Sequence, residues 1–175
     1  MAVNQTRWDE RPHELETLLR VHNYDLAATL DSGQAFRWRR DDDAWHGVIG
    51  RHYVRLTQRE SGIHAATAAP VERWDWLCEF LQTEIDLSAV LKTFPDDQPM
   101  RNAIAACPGL RLLRQDPWEC LASFILSSTK QIVQIRQIIT LLCERFGEPI
   151  NRIQVGRAVP CPPPANESVS ACQNG

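Results

Sequence analysis

The residues able to do chemistry are few and scattered. Among nineteen basic residues only Lys92 and Lys130 are lysines, so amine chemistry has two candidates. The five histidines do not cluster. His46, His52 and His64 fall on segments that read as strands, without metal-ligand spacing, and read as surface or part-packed side chains. Asp41, Asp42 and Asp43 are adjacent acids able to meet a cation. In a hairpin turn such a run reads as a solvated loop. The six cysteines are Cys78, Cys107, Cys120, Cys143, Cys161 and Cys172. No CxxC exists among them, which disfavours zinc ribbons, zinc fingers and thioredoxin-like sites. GxSxG, HExxH, P-loop and GxGxxG motifs are absent. No metal site or cofactor is expected in this chain. Gly33 lacks a Cβ and can let the main chain approach a ligand closely, or can simply turn the chain. Ser127-Ser128-Thr129 is a hydroxyl-rich corner able to cap the helix that follows.

The elements that must position these residues change character at Pro70. Before it, aromatic and β-branched runs at 24–30, 34–39, 44–49, 52–57 and 63–67 alternate with turn-rich separators, the pattern of an antiparallel meander. After it, Val71, Trp74, Leu77, Cys78 and Leu81 mark one helical face, with Pro70 near its first turn. Short helices are expected at 86–91 and 98–107. Asp116-Pro117-Trp118-Glu119 is a strong helix start, with Asp as N-cap, Pro at N1 and Glu at N3. A second helix is expected from 130 to 146, with Gly147 as its C′ residue. Strands followed by helices give an α+β fold.

Composition bounds the rest. The chain has 175 residues, 43% hydrophobic and 23% charged, a globular balance. No apolar run reaches the length of a membrane span. Residues 1–20 carry seven charges and do not read as a secretory signal. With no export signal and no paired cysteine motif, a reduced intracellular compartment is expected. The net charge of −3 argues by itself against a nucleic-acid partner. It is unevenly spread, however: residues 111–147 carry five basic and three acidic groups, so a polyanion would meet that segment. Residues 148–175 hold five of the eleven prolines without apolar periodicity and read as a disordered tail.

Two segments carry a resemblance. Leu30-Asp31-Ser32-Gly33-Gln34-Ala35-Phe36-Arg37-Trp38 resembles the SGQ-x-FRW signature of 8-oxoguanine DNA glycosylases. The stretch from Gly109 to Leu121, GLRLLRQDPWECL, resembles their GxRLLRQDPxECL segment and continues into Ser123-Phe124-Ile125-Leu126-Ser127-Ser128. The resemblance covers about residues 20–147 and implies a division of the chain. Residues 1–22 would be a lead-in and 23–110 the family's N-terminal domain, similar to half of a TATA-box-binding protein fold. Residues 111–147 would open the helix–hairpin–helix glycosylase domain, and 148–175 would be the tail.

The resemblance implies base-excision repair: removal of 8-oxoguanine from double-stranded DNA, then cleavage of the abasic strand by β-elimination. The lesion is flipped into a pocket, because its glycosidic bond is out of reach inside the duplex. By resemblance Gly33 supplies the backbone carbonyl that meets the lesion's N7–H, where guanine offers only an acceptor. Ser128, Thr129, Lys130, Gln131 and Gln134 match the loop that enters the gap left by the flipped base. Better-known members have consecutive asparagines where Thr129, Lys130 and Gln131 stand, and often an arginine in place of Gln134. The family's nucleophile is a lysine in the helix–hairpin–helix, with an aspartate further along, and neither follows Gly147. The chain therefore reads as a truncated member, inactive alone. The alternative is a non-catalytic DNA-binding or protein-interaction module.

Overall fold

The computed structural model describes residues 14–150. Eleven elements follow one another along the chain. β1 is Glu14–Leu19 and α1 is Leu26–Asp31. Strands β2 (Arg39–Asp41), β3 (Ala44–Ile49), β4 (His52–Arg59) and β5 (Gly62–Val71) come next. Helices α2 (Asp75–Leu81), α3 (Leu87–Leu91), α4 (Gln98–Ala106), α5 (Pro117–Ser127) and α6 (Ile132–Phe146) complete the order. The strands form one antiparallel sheet, β1-β5-β4-β3-β2. The expected α+β class and its antiparallel sheet are thus what the chain adopts.

Four local readings change. The 24–30 stretch holds most of α1 instead of a strand, because Asp25 caps the helix through its side chain to Ala28 N–H at 2.8 Å. Leu26, Thr29 and Leu30 then bury one face at helical spacing. Residues 34–38 are irregular, and only Arg39–Asp41 enters the sheet. The fifth strand comes instead from Glu14–Leu19, inside the stretch read as a lead-in. Pro70 lies in β5 rather than opening α2. It sits past the β4 pairing, which ends at Thr67, and beside the bulge between Glu14 and Glu16, where a missing N–H breaks no regular ladder.

The core lies between the inner face of the sheet and helices α1 and α2. Val54, Leu56, Ile63, Leu26, Leu30, Leu77 and Leu81 are all at most 1% exposed. Each such side chain contributes about 1.5–3 kcal/mol by leaving water. Trp38 closes one end of this core against Phe80, ring centroids 5.9 Å apart.

α5 starts where the sequence places it, with Asp116 accepting from the N–H groups of Trp118 and Glu119. α6 starts after Gln131, and Gln134 Oε1 reaches back to the Gln131 N–H at 3.1 Å. Gly147 caps α6 at φ −84°, not in the left-handed region. What demands glycine there is closeness: a Cβ would fall 2.4 Å from the Cys143 carbonyl oxygen. α5 and α6 leave much apolar surface in water, with Trp118, Phe124 and Phe146 at 70–76% exposure. No helix among the described residues is long and apolar enough to cross a membrane. The tail reading for 151–175 lies outside the described residues.

Candidate nucleic-acid interface

α1 ends at Asp31, and the chain then turns through Ser32 and Gly33. Gly33 holds φ +83°, a left-handed conformation that a side chain would strain. A Cβ there would sit 3.7 Å from Ile132 Cδ1, so the turn lies directly against the first residue of α6. Two regions a hundred residues apart in the chain, the Gly33 turn and the 128–134 corner, therefore adjoin. An ion pair between Asp31 and Arg136 at 2.9 Å ties α1 to α6 just behind this point.

Ser128, Thr129, Lys130, Gln131 and Gln134 are all exposed. Their polar groups are not equally available. The Ser128 hydroxyl donates to the Ile125 carbonyl at 2.8 Å, closing the end of α5. Gln134 spends its amide oxygen on the start of α6. Thr129 and Lys130 stand at the apex between the two helices. The other lysine, Lys92, caps the C-terminus of α3, on an element remote in sequence from both segments.

The Gly33 turn is also braced by residues 111–113. Gln34 donates to the Arg111 carbonyl and accepts from the Leu113 N–H. Arg111 is 5% exposed and lies over the Tyr24 ring, 5.1 Å from its centroid. Its Nη2 donates to the His22 carbonyl at 3.2 Å, and its own N–H donates to Thr29 Oγ1 at 3.1 Å. Burial pushes the guanidinium below its ordinary pKa. Burial likewise pushes the Tyr24 phenol far above its ordinary value, and its O–H donates to the Leu81 carbonyl. Gly109 also approaches closely: its carbonyl accepts from the Asp25 N–H at 2.9 Å, and a Cβ would lie 2.7 Å from that nitrogen. A further tie joins Arg37 to Glu119 of α5. In each of these ties one partner lies within residues 22–37, and the other is Leu81 or lies within residues 109–136.

Alongside the turn runs an open cleft of about 1460 Å3 between the β2–β3 hairpin and α6. Phe36, Trp38 and Trp45 line one wall, and Val133 and Leu141 the other. Asp43, in the hairpin turn, pairs with Arg59 at 2.6 Å, and that guanidinium holds its carboxyl below the usual carboxylate range. All three acids of the Asp41–Asp43 run are exposed, and Asp43 ties the hairpin turn to β4.

A family model for the N-terminal domain of 8-oxoguanine DNA glycosylases matches residues 17–121. The chain belongs to that family. An N-glycosylase/DNA lyase OGG1 of Arabidopsis thaliana is 34% identical over 122 residues, covering 65% of this chain and 33% of that protein. An N-glycosylase/DNA lyase of Saccharomyces cerevisiae is 32% identical over 142 residues, 73% of this chain and 38% of that protein. Among solved structures, MBOgg1 in complex with a low-affinity DNA ligand is similar at TM-score 0.75 and 28% identity, covering 81% of this chain and 50% of that one. The Clostridium acetobutylicum 8-oxoguanine glycosylase/lyase, in complex with duplex DNA containing cytosine opposite 8-oxoG, is similar at TM-score 0.69 and 26% identity, covering 75% of this chain and 46% of that one. The chain thus spans a third or little more of the curated glycosylases it matches. For this 8-oxoguanine glycosylase family member, the matched region holds both the sheet and the Gly33 turn.

Proposed function

We propose that this chain is the lesion-recognition part of an 8-oxoguanine DNA glycosylase/AP lyase acting in intracellular base-excision repair. Its partner is double-stranded DNA carrying 8-oxoguanine. Residues 23–110, with β1 added at the sheet edge, form the N-terminal domain, and 111–147 open the helical domain. The observation that carries the reading is the placement of the left-handed Gly33 turn against the start of α6. A base flipped from the duplex would meet the Gly33 carbonyl, while residues 128–134 enter the space it leaves. The carbonyl attracts the N7–H of 8-oxoguanine and repels the N7 lone pair of guanine. One such hydrogen bond, set against an unpaired acceptor, is worth about 1–3 kcal/mol, roughly 5- to 150-fold in affinity.

Excision by this polypeptide alone is not part of the reading. Schiff-base chemistry needs a lysine beside the sugar of the flipped nucleotide. Lys130 stands at the apex between α5 and α6, in the loop read as entering the space left by the flipped base, and Lys92 lies at the end of α3. Fluorescence anisotropy with 8-oxoG·C and G·C duplexes, paired with borohydride trapping, tests both halves. The expected result is tighter binding to the lesion duplex, no released base and no covalent adduct. Equal affinity for the two duplexes overturns the recognition half. An adduct on Lys130 or Lys92 overturns the non-catalytic half.

A further inference from the structure

Gly33 has the widest conformational freedom of any residue, so a carbonyl that must discriminate one hydrogen at N7 needs something else to aim it. The residue that follows it is placed to do so. The Gln34 carboxamide makes three hydrogen bonds. Nε2 donates to Ser32 Oγ at 2.9 Å and to the Arg111 carbonyl at 2.8 Å, and Oε1 accepts from the Leu113 N–H at 2.9 Å. Both N–H donors of the amide are used. The Arg111 carbonyl and the Leu113 N–H flank Leu112, which is 77% exposed between two buried neighbours, the alternation of extended chain. The side chain of Gln34 thus pairs with that segment as a neighbouring strand would.

The segment it grips is firmly anchored. Arg111 is held by Thr29, His22 and the Tyr24 ring. Leu113 is in the core, and the Arg114 N–H donates to the Phe80 carbonyl at 2.9 Å. On the other side of Gly33, Ser32 Oγ donates to the Thr29 carbonyl at 2.9 Å and accepts from Gln34. The side chains of both residues that flank Gly33 are therefore tied down, Ser32 to α1 and Gln34 to residues 111–113.

We infer that Gln34 is a positioning residue: by bridging Ser32 to residues 111–113 it fixes the direction of the Gly33 carbonyl and so sets the preference for 8-oxoguanine over guanine. This rests on the Gly33 reading above and adds to it the side chain that enforces it. Gln34 itself touches no base. The donors are essential, because a carboxylate in the same shape would face the Arg111 carbonyl with a second acceptor.

The test uses the full chain with Gln34→Ala, Gln34→Glu and a core control, Val54→Ala, which removes buried volume in β4 and leaves the Gln34 hydrogen bonds in place. Affinities for 8-oxoG·C and G·C duplexes are measured for each, together with amide exchange at Leu113. The expected result is that both Gln34 variants bring the lesion preference to within about twofold of unity, by weakening the lesion complex only, and that Gln34→Ala exposes the Leu113 amide, whereas the carboxylate of Gln34→Glu still accepts from it. Val54→Ala keeps the preference while lowering the melting temperature. If Gln34→Ala fails to fold, the preference of Gln34→Glu decides. A Gln34 variant that frees the Leu113 amide yet keeps the full preference overturns this inference and leaves the Gly33 reading standing. A wild-type chain with no preference contradicts the Gly33 reading itself, and this inference with it.

Discussion

Alanine at position 47 would drive a methyl group into an indole ring. A Cβ built on Gly47 lies 2.4 Å from Trp38 Cε3, 2.5 Å from Cδ2 and 2.8 Å from Cε2. Carbon atoms in contact prefer about 3.5–4.0 Å, so ring and strand must part by roughly 1 Å. Neither side yields easily. Trp38 is 4% exposed and packs on Phe80, and Gly47 is paired in the sheet with Val54, which is 0% exposed. Overpacking costs about 1–3 kcal/mol, and a rigid planar ring pressed by a central strand belongs at the upper end. At ~2–4 °C per kcal/mol for a chain of about this size, Gly47→Ala should lower the melting temperature by roughly 6–12 °C. Urea denaturation followed by tryptophan fluorescence gives the free energy. Trp38→Leu in the same background supplies the cycle, because the smaller side chain makes room and Gly47→Ala should then cost at least about 1 kcal/mol less. A Gly47→Ala protein within about 0.5 kcal/mol of wild type, or costs that simply add, would refute the packing of the FRW tryptophan argued here.

Gly33→Ala should fold, since the nearest atom to the new Cβ is in ordinary contact at 3.7 Å, but lose about 1–2 kcal/mol in urea denaturation from its left-handed φ. The apolar faces of α5 and α6 should make the chain self-associate; light scattering should show oligomers that Phe124→Ser and Phe146→Ser reduce, whereas a concentrated monodisperse monomer would contradict this. Burial raises the Tyr24 phenol above its ordinary value of 10.0, so the unfolded chain releases this proton first as pH rises. Its contribution is fully present below pH 10 and falls away above it, and Tyr24→Phe should flatten that part of the alkaline stability curve.

The sequence shows most plainly what local chemistry decides. β3 and β4 begin where turn residues predict, and Asp116-Pro117 starts α5 because cap and ring both act within one turn. β1 escaped notice because an edge strand carries charge: Glu16 lies within it and Leu15 is 48% exposed. The density of apolar residues in α1 reads as a strand, and the Asp25 cap is the signal that marks a helix there. At the candidate site, the sequence marks Gly33 and the 128–134 corner separately. Their adjacency depends on Ile132, Arg136 and Asp31 meeting across the fold, which no periodicity encodes. Gln34 was read only as part of a signature. Its partners lie 77 and 79 residues away, and a polar side chain that replaces a strand leaves no pattern in the chain.

Amide hydrogen exchange on the full chain, with and without a duplex carrying 8-oxoG opposite cytosine, tests the central claim that the Gly33 turn and the α5–α6 corner form one DNA-recognition surface. The expected result is protection gained together at residues 31–34 and 128–134, and weaker protection at 31–34 when guanine replaces the lesion. Protection confined to other surfaces, or gained at 128–134 with none at the turn under either duplex, would contradict it.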